Sequence, residues 1–254
     1  MTINQLAFGI DLSRWNTSAD GKQKVNFDTI AQHTDPEVSF IAMRSGVSWG
    51  YQDPWFPFYM AEAKRINRVR LAYHVLFPGE NPISQMDNFF KILGDIDYQK
   101  VPLVLDLELD HGQSKRRITD TTADAVNIII KRTGTKPFIY SRASWINQFL
   151  IVSELPPVYW WLAQYRWPLP YPLFTPEYPT PPTLPASLHS SSGVTTWTIH
   201  QTANRGASIG AKAMHFMDYN RFNGTKDQLL KFAGHAQQPL LCPIDSKPCP
   251  RLFV

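Results

Sequence analysis

Residues 101–113, VPLVLDLELDHGQ, place an apolar strand directly before a run of alternating carboxylates. Val101 to Leu105 has the branched apolar character of a buried strand, and Asp106, Glu108 and Asp110 follow at every second position. Successive strand side chains point to opposite faces, so Asp106 and Glu108 share one face, roughly 6–7 Å apart. Asp110 lies past the strand end, where an isolated acid is usually a cap or an ion-pair partner. This order of apolar residues and then acids is expected where a barrel strand reaches the active-site mouth.

The segments around this strand repeat a βα pattern. Five strand-like stretches each precede a helix-like one: AFGIDLS, SFIAMRSG, RLAYHVLFP, VPLVLDLEL and KPFIYS. Thr119 is predicted to cap the helix after the acidic strand, and Gly134 to end it. Three more strand-like stretches follow: YWWLAQY, TTWTIHQT and MHFMDYN. The pattern predicts an α/β fold with a mainly parallel sheet, and a TIM-like barrel of the (β/α)5(β)3 type in a single domain is one way to close that sheet.

Proline content suggests where the barrel is interrupted and where it ends. Residues 168–185 hold eight of the 21 prolines, which excludes a helix or a central strand and predicts an extended insertion loop. We assign residues 1–234 to the barrel and the Pro-rich residues 235–254 to a C-terminal tail. The two cysteines, Cys242 and Cys249, lie in this tail, so the core does not depend on a disulfide. They can pair in an oxidising compartment, and without a neighbouring histidine cluster a zinc site is disfavoured.

Composition limits the classes of function. Of the 254 residues, 43% are hydrophobic and 18% charged, which suits one sizeable core. Lys and Arg number 25 against 21 acids, without a basic run, so no nucleic-acid partner is expected. The N-terminal MTINQLAFGIDLS lacks a basic region and an apolar region, and no apolar stretch has membrane-spanning length. We therefore expect a protein made in the cytoplasm without a signal peptide, and no membrane partner.

Two further acids occupy strand ends. Asp11 closes the first strand in FGIDLSRW, and Asp218 lies in the last one in MHFMDYN. The first and eighth strands of a closed barrel are neighbours, so these acids are expected side by side, with the strand of Asp106 and Glu108 across the mouth. Carboxylates gathered in one cleft raise one another's pKa, which keeps a proton donor protonated near neutrality. Paired carboxylates are the groups that glycoside hydrolysis uses.

The sequence resembles the glycoside hydrolase family 25 lysozymes, the N-acetylmuramidases. The resemblance covers about residues 8–224 and rests on eight stretches in family order: GIDLSRWN, FIAMRSG, AYHV, LVLDLEL, PFIYS, WWLAQY, TTWTIHQT and DYNRFNG. It implies Glu108 as the general acid, Asp106 as its partner, and Asp11 and Asp218 as the rest of an acidic floor. It also implies substrate contacts at strand ends by Tyr73, Tyr140, Trp161, Gln201 and Asn220.

The resemblance further implies the reaction and its setting. The expected substrate is bacterial peptidoglycan, cut at the β-1,4 bond between N-acetylmuramic acid and N-acetylglucosamine with retention of configuration. The substrate's own acetamide is the expected nucleophile, oriented by Asp106, and no cofactor or metal is expected. The expected protein is a monomeric, phage endolysin-like enzyme that reaches the wall through a holin or as part of a virion.

Two candidates come from the residues alone, and two alternative functions stay open. Trp49 is a candidate for stacking on a sugar ring, and Arg44 either binds substrate or pairs with an acid inside the barrel. A non-catalytic glycan-binding module would keep the same fold, although it has no physical need for four repelling acids. A metal-dependent barrel hydrolase would use the acids with His74, His111 or His200, but no two histidines have HxxxH spacing. His74 is otherwise a packed core residue.

Overall fold

The strand-like stretches form one closed sheet in the computed structural model, which describes residues 2–165, 180–213 and 216–234. Seven neighbouring strands are parallel, and the last strand pairs antiparallel with the first and with the one before it. A two-residue strand adds an antiparallel hairpin to the second. The strands are β1 Phe8–Leu12, β2 Val38–Val47, β3 Tyr51–Gln52, β4 Val69–Val75, β5 Leu103–Asp106, β6 Phe138–Arg142, β7 Tyr159–Ala163, β8 Ile199–Ala207 and β9 Phe216–Phe222.

Helices follow the first five barrel strands, which confirms the predicted (β/α)5(β)3 barrel in a single domain. They are α1 Phe27–Gln32, α2 Phe56–Arg65, α3 Pro82–Leu93, α4 Lys115–Thr133 and α5 Ala143–Phe149, and α6 Lys226–Phe232 comes after β9. Gly134 ends α4 in the left-handed conformation, at φ 70°, as predicted. The predicted cap is wrong. The side chain of Ser114 accepts the N–H of Arg117 and caps the helix, so α4 begins before Thr119, which lies inside it.

Alternation along each strand divides the core into two layers. Inward side chains such as Phe40, Leu71, Val104 and Phe138 fill the barrel, and outward ones pack against the helices. Burying each large apolar side chain of this kind stabilises the fold by about 1.5–3 kcal/mol. Gly9 faces inward on β1, and a Cβ there would lie 2.4 Å from the Phe40 ring, so only glycine leaves room for this filling.

One end of the barrel is closed and the other is open. At the end where the parallel strands begin, Phe232 of α6 packs edge-on against Phe138 and Tyr159, with ring centroids 5.7 and 4.8 Å away. Leu229 and Ala233 of the same helical segment join the inner core. Polar side chains are thereby left to the opposite end, where the parallel strands finish.

Parts of two predictions lie outside the described residues. Residues 168–179 of the predicted insertion loop and the whole predicted tail, 235–254 with both cysteines, belong to this part of the chain. Among the described helices, none combines the length and the apolar character that crossing a bilayer requires.

Candidate active site

The open end of the barrel holds a cavity of about 220 Å³. Along each strand the inward residues are apolar deep in the barrel and become polar at the last position or two, as in Phe40, Ala42 and Arg44 of β2. Nine of the eleven predicted site residues line the cavity: Asp11, Arg44, Tyr73, Asp106, Glu108, Tyr140, Trp161, Gln201 and Asp218. The strand ends therefore bring together residues that are far apart in sequence.

Asp11 and Asp218 face each other directly in the antiparallel pairing of β1 with β9. Their carboxyl groups share a hydrogen bond, and burial raises the pKa of both. The charge of Asp11 raises the pKa of Asp218 further, well above its usual range. Asp11 also accepts the amide N–H of Asn220 at 2.9 Å and that of Gln201 at 3.3 Å, and these hydrogen bonds offset part of the rise in its pKa, so that Asp11 is the more readily ionised of the two. Asp218 is thus the protonated partner and Asp11 the carboxylate.

The amides that hold Asp11 are themselves oriented. Tyr140 and Tyr165 each donate a hydroxyl to the Oε1 atom of Gln201, at 2.7 and 2.8 Å, so its NH2 group must face Asp11. The indole N–H of Trp161 does the same for Asn220, donating to its Oδ1 at 2.9 Å. Asn220 does not line the cavity and acts one layer behind it.

Asp106 is the last residue of β5, and it lacks comparable support. Its Oδ1 atom is buried and accepts no hydrogen bond from any residue in the described ranges. Burial raises its pKa well above the usual range, the charges of Glu108 and Asp11 add to this, and Arg44 opposes it. A buried carboxyl oxygen without a donor is costly, so its presence at a cavity wall indicates a site for an external N–H or O–H.

Glu108 lies just beyond β5, with 37% of its side chain exposed. Burial raises its pKa; Arg142 opposes this and Asp11 contributes to it. Arg142, at the end of the neighbouring strand β6, places its Nε atom 3.7 Å from Oε1 of Glu108. Burial thus favours the protonated form of both carboxyl groups, the half-exposed Glu108 and the buried Asp106, whose Oδ1 atom lacks a donor.

Arg44 was predicted either to bind substrate or to pair with an acid, and it forms an ion pair. Its Nε and Nη2 atoms both lie 2.9 Å from Oδ2 of the buried Asp53, and the guanidinium still borders the cavity. Asp53 also accepts the backbone N–H of Arg14 at 2.9 Å. The pair ties the chain after β1 to the hairpin after β2.

Some predicted residues lie elsewhere. Trp49 is in the turn between β2 and β3 with 62% exposure and is not part of the cavity wall, so its substrate role stays a prediction. Asp110 accepts the N–H of Gly112 in a turn outside the cavity wall, and neither caps the following helix, which Ser114 does, nor has an ion-pair partner in the described residues. His74 is fully buried behind the barrel, stacks on Phe89 and has a pKa lowered to about 4 by burial. None of His74, His111 and His200 lines the cavity.

Other cavity residues were not predicted. Ser13, Trp15 and Val75 line the wall, while Tyr165 and Arg142 contact the predicted residues. Ser13 and Val75 follow Asp11 and Tyr73 by two positions, so the strand period of two would have found them. Within residues 2–165, 180–213 and 216–234, no group of three or more His, Cys, Asp or Glu side chains is arranged to hold a metal ion.

A (β/α) barrel with carboxyl groups clustered at the C-terminal ends of its strands is the architecture of a barrel glycosidase. A sequence model of glycosyl hydrolases family 25 matches residues 10–211. The chain belongs to this family and is a glycoside hydrolase.

The chain also resembles known proteins in sequence and in fold. The chain is 26% identical over 228 residues to an uncharacterized protein, YegX, of Escherichia coli O6:H1, covering 88% of this chain and 72% of that protein. A bacterial lysozyme from Streptomyces coelicolor superposes with a TM-score of 0.68 at 23% identity, covering 91% of this chain and 98% of the other. A muramidase from Trichobolus zukalii has a TM-score of 0.67 at 22% identity, covering 91% and 100%.

Proposed function

We propose that this glycoside hydrolase is an N-acetylmuramidase that cleaves peptidoglycan between N-acetylmuramic acid and N-acetylglucosamine. Family membership supports hydrolysis of peptidoglycan, and the lysozyme and muramidase among its structural neighbours point the same way. The observation that carries the specific proposal is the buried Oδ1 atom of Asp106, which lacks a donor and stands beside the half-exposed Glu108. A sugar bearing an acetamide N–H supplies the missing donor.

Glu108 acts first as the general acid. Burial favours its protonated form, and its partial exposure lets it reach the oxygen of the bond to be cleaved. As the bond between C1 and this oxygen breaks, the oxygen takes the proton of Glu108 and leaves as the hydroxyl group of the departing sugar.

Asp106 positions the nucleophile. Its Oδ1 atom accepts the acetamide N–H, which turns the acetamide oxygen toward C1 of the same sugar and makes it more nucleophilic. A bond forms between that oxygen and C1, giving an oxazolinium ion. Water then attacks C1 from the side that the leaving group vacated, and Glu108, now ionised, takes the water's proton. The ring opens back to the acetamide, and two inversions leave the configuration retained.

Asp11 and Asp218 supply one negative charge to the cavity floor. Since the transition state of glycoside hydrolysis has oxocarbenium character, the ionised Asp11 stabilises it electrostatically. Asp218 holds the shared proton and keeps Asp11 in place. The remaining predicted residues bind the sugars around these groups: Arg44, Trp49, Tyr73, Tyr140, Trp161, Gln201 and Asn220.

The setting is part of the same proposal. The enzyme acts as a monomer on the bacterial cell wall, made in the cytoplasm and delivered as a phage endolysin through a holin or as a virion component. Neither nucleic acid nor a membrane is a partner.

Mass spectrometry of the fragments released from purified peptidoglycan tests the proposed function. Fragments with N-acetylmuramic acid at the reducing end are expected from the wild type and not from the Glu108→Gln variant. Reducing-end N-acetylglucosamine would mean a glucosaminidase. Binding to the wall without release of any fragment would mean a glycan-binding module.

A further inference from the structure

Arg14 lies between Ser13 and Trp15, two residues that line the cavity, although Arg14 itself is not part of the cavity wall. It begins the short 3-10 helix Arg14–Asn16 directly after β1, and its side chain is exposed. The guanidinium carbon lies 4.2 Å from the centroid of the Trp15 ring and 5.5 Å from that of Tyr51. Trp15 lines the cavity, so the stacking holds the cation beside the substrate's path.

This guanidinium group has no anionic partner in the described part of the chain. The acid that does contact Arg14 is Asp53, which accepts its backbone N–H and is already neutralised by Arg44. Two other exposed arginines are paired with acids: Arg65 with Asp28 and Glu62, and Arg132 with Asp87. Arg14 is thus positioned by aromatic rings while its hydrogen-bond donors remain available.

The chemistry of the group defines its ligand. A guanidinium presents a planar fork of donors that matches a carboxylate, and stacking on aromatic rings reduces the freedom it must lose on binding. The negative charge of Asp11 disfavours an anion at the cavity floor, so a carboxylate of the substrate is expected to lie away from the floor. In peptide-bearing peptidoglycan the lactyl group of muramic acid is an amide, and the free carboxylates belong to the peptide stems.

We propose that Arg14 binds a carboxylate of the peptide stem, so that the enzyme prefers glycan strands that carry stems with free carboxylates. The inference rests on the proposed function, since it assigns a specificity to the same cavity. Arg14 is a specificity-determining residue and takes no part in bond cleavage.

The test compares three preparations of one peptidoglycan. The first is untreated, the second has its stem carboxylates converted to amides with a carbodiimide and ammonia, and the third has lost its stems to an amidase, which leaves lactyl carboxylates on the sugars. Initial rates are measured for the wild type, for Arg14→Gln and Arg14→Lys, and for Arg65→Gln. The last variant loses the same charge on α2, outside the cavity wall, and controls for general attraction to an anionic wall.

The expected result is a change in discrimination. The wild type and Arg65→Gln should hydrolyse the untreated substrate about twofold to fivefold faster than the amidated one, as an exposed ion pair allows. Arg14→Gln should bring this ratio close to one, and Arg14→Lys should restore part of it.

Four outcomes would contradict the inference, in different ways. A wild-type ratio near one, or a ratio that Arg14→Gln leaves unchanged, would remove the carboxylate site while leaving the proposed function intact. Equal dependence on Arg14 for the stem-free glycan would assign the carboxylate to the sugar and refute the stem. Failure of the wild type to hydrolyse any of the three preparations would overturn the proposed function itself.

Discussion

The two pairs of carboxyl groups in the cavity differ in how completely the protein satisfies them. Asp11 and Asp218 share a proton, and two amides with fixed orientations donate to Asp11. Across the mouth, Asp106 has a buried oxygen without a donor, and Glu108 has only a loose contact with Arg142 at 3.7 Å. Both pairs have raised pKa values, chiefly through burial.

The Asp11–Asp218 pair therefore has a fixed electrostatic role, whereas the Asp106–Glu108 pair is left free to bind and react with a ligand. A network whose hydrogen bonds are all made contributes rigidity and a fixed charge. A buried acceptor without a donor destabilises the free protein and is stabilised only when a ligand supplies the donor. Substitutions on the β5 side should therefore affect the rate most, and those on the β1–β9 side should affect stability as well.

The largest expected effect is that of Glu108→Gln. The amide is nearly isosteric but cannot donate a proton to the leaving group, so the rate should fall by about 10²- to 10⁴-fold with the fold retained. Release of muropeptides and the circular dichroism spectrum measure the two properties. Asp110→Asn is the matched control, since this acid lies two positions further on and outside the cavity, and it should keep the wild-type rate. If Glu108→Gln retained most of its turnover, Glu108 would not be the acid.

Asp106→Asn should come next, with a loss of about 10²- to 10³-fold, because the amide no longer polarises the acetamide N–H. The same assignment predicts no covalent ester on the enzyme. After incubation with a fluorinated sugar that accumulates on nucleophilic carboxylates, the intact mass of the wild type should be unchanged. Recovery of a labelled peptide containing Asp106 would show a double displacement with Asp106 as the nucleophile.

Asn220→Ala tests the hydrogen bonds that hold Asp11. Asn220 is fully buried, and its loss removes a donor from Asp11 and leaves the indole N–H of Trp161 unpaired. The free energy of unfolding should fall by about 1–3 kcal/mol, as measured with denaturant. The pKa of Asp11 should rise, so the acidic limb of the pH–rate profile should move to higher pH.

Asn223→Ala provides the matched control, because its amide donates to the carbonyl of Trp197 at 3.0 Å, outside the cavity wall. It should lower stability without moving either limb. An unchanged acidic limb in Asn220→Ala would show that Asp11 does not need to be ionised for hydrolysis.

Asp218→Asn should have a small effect on rate, at most about tenfold, because the amide N–H still donates to Asp11. Its effect on stability depends on pH. The pKa of Asp218 is raised in the folded protein, so the unfolded chain ionises first as pH rises from about 4, and the wild type loses stability over that range. The variant lacks this loss. Its melting temperature relative to the wild type should be higher at pH 7 than at pH 3, and the opposite trend would contradict the protonated state assigned to Asp218.

The barrel strands and most of the residues of the cavity wall could be predicted from the sequence, because both depend on the alternation of side chains along a strand. The same period of two places Ser13, Val75 and Arg142 on the inward face. They follow the predicted residues Asp11, Tyr73 and Tyr140 by two positions. Val75 and Arg142 are the last residues of β4 and β6, and the sequence alone does not show how far each strand extends.

Boundaries and pairings were harder to predict. Alternation continues through Glu108, but β5 ends at Asp106, opposite the last residue of β4, Val75. Three cations in the first turn oppose a helix dipole, which argues against a start at Lys115. The ion pairs of Arg116 with Asp120 and Glu154 reduce this cost, and they depend on tertiary contacts.

Arg142→Gln should have the smallest effect on the rate, and it tests the protonation of Glu108 most directly. Arg142 is 54% exposed and acts on Glu108 by charge at 3.7 Å, without a full hydrogen bond. The positive charge lowers the pKa of Glu108, so its removal should raise that pKa and keep the acid protonated to higher pH. The alkaline limb of the kcat/KM profile should therefore move to higher pH, while the rate at the acidic optimum changes by less than about threefold.

The acidic limb should stay in place, because Arg142 is not among the groups that shift the pKa of Asp11 or Asp106. Added salt should narrow the difference from the wild type, and Arg142→Lys should largely remove it. A downward shift of the alkaline limb, or one confined to the acidic limb, would mean that Glu108 is not the group whose protonation limits the rate at high pH.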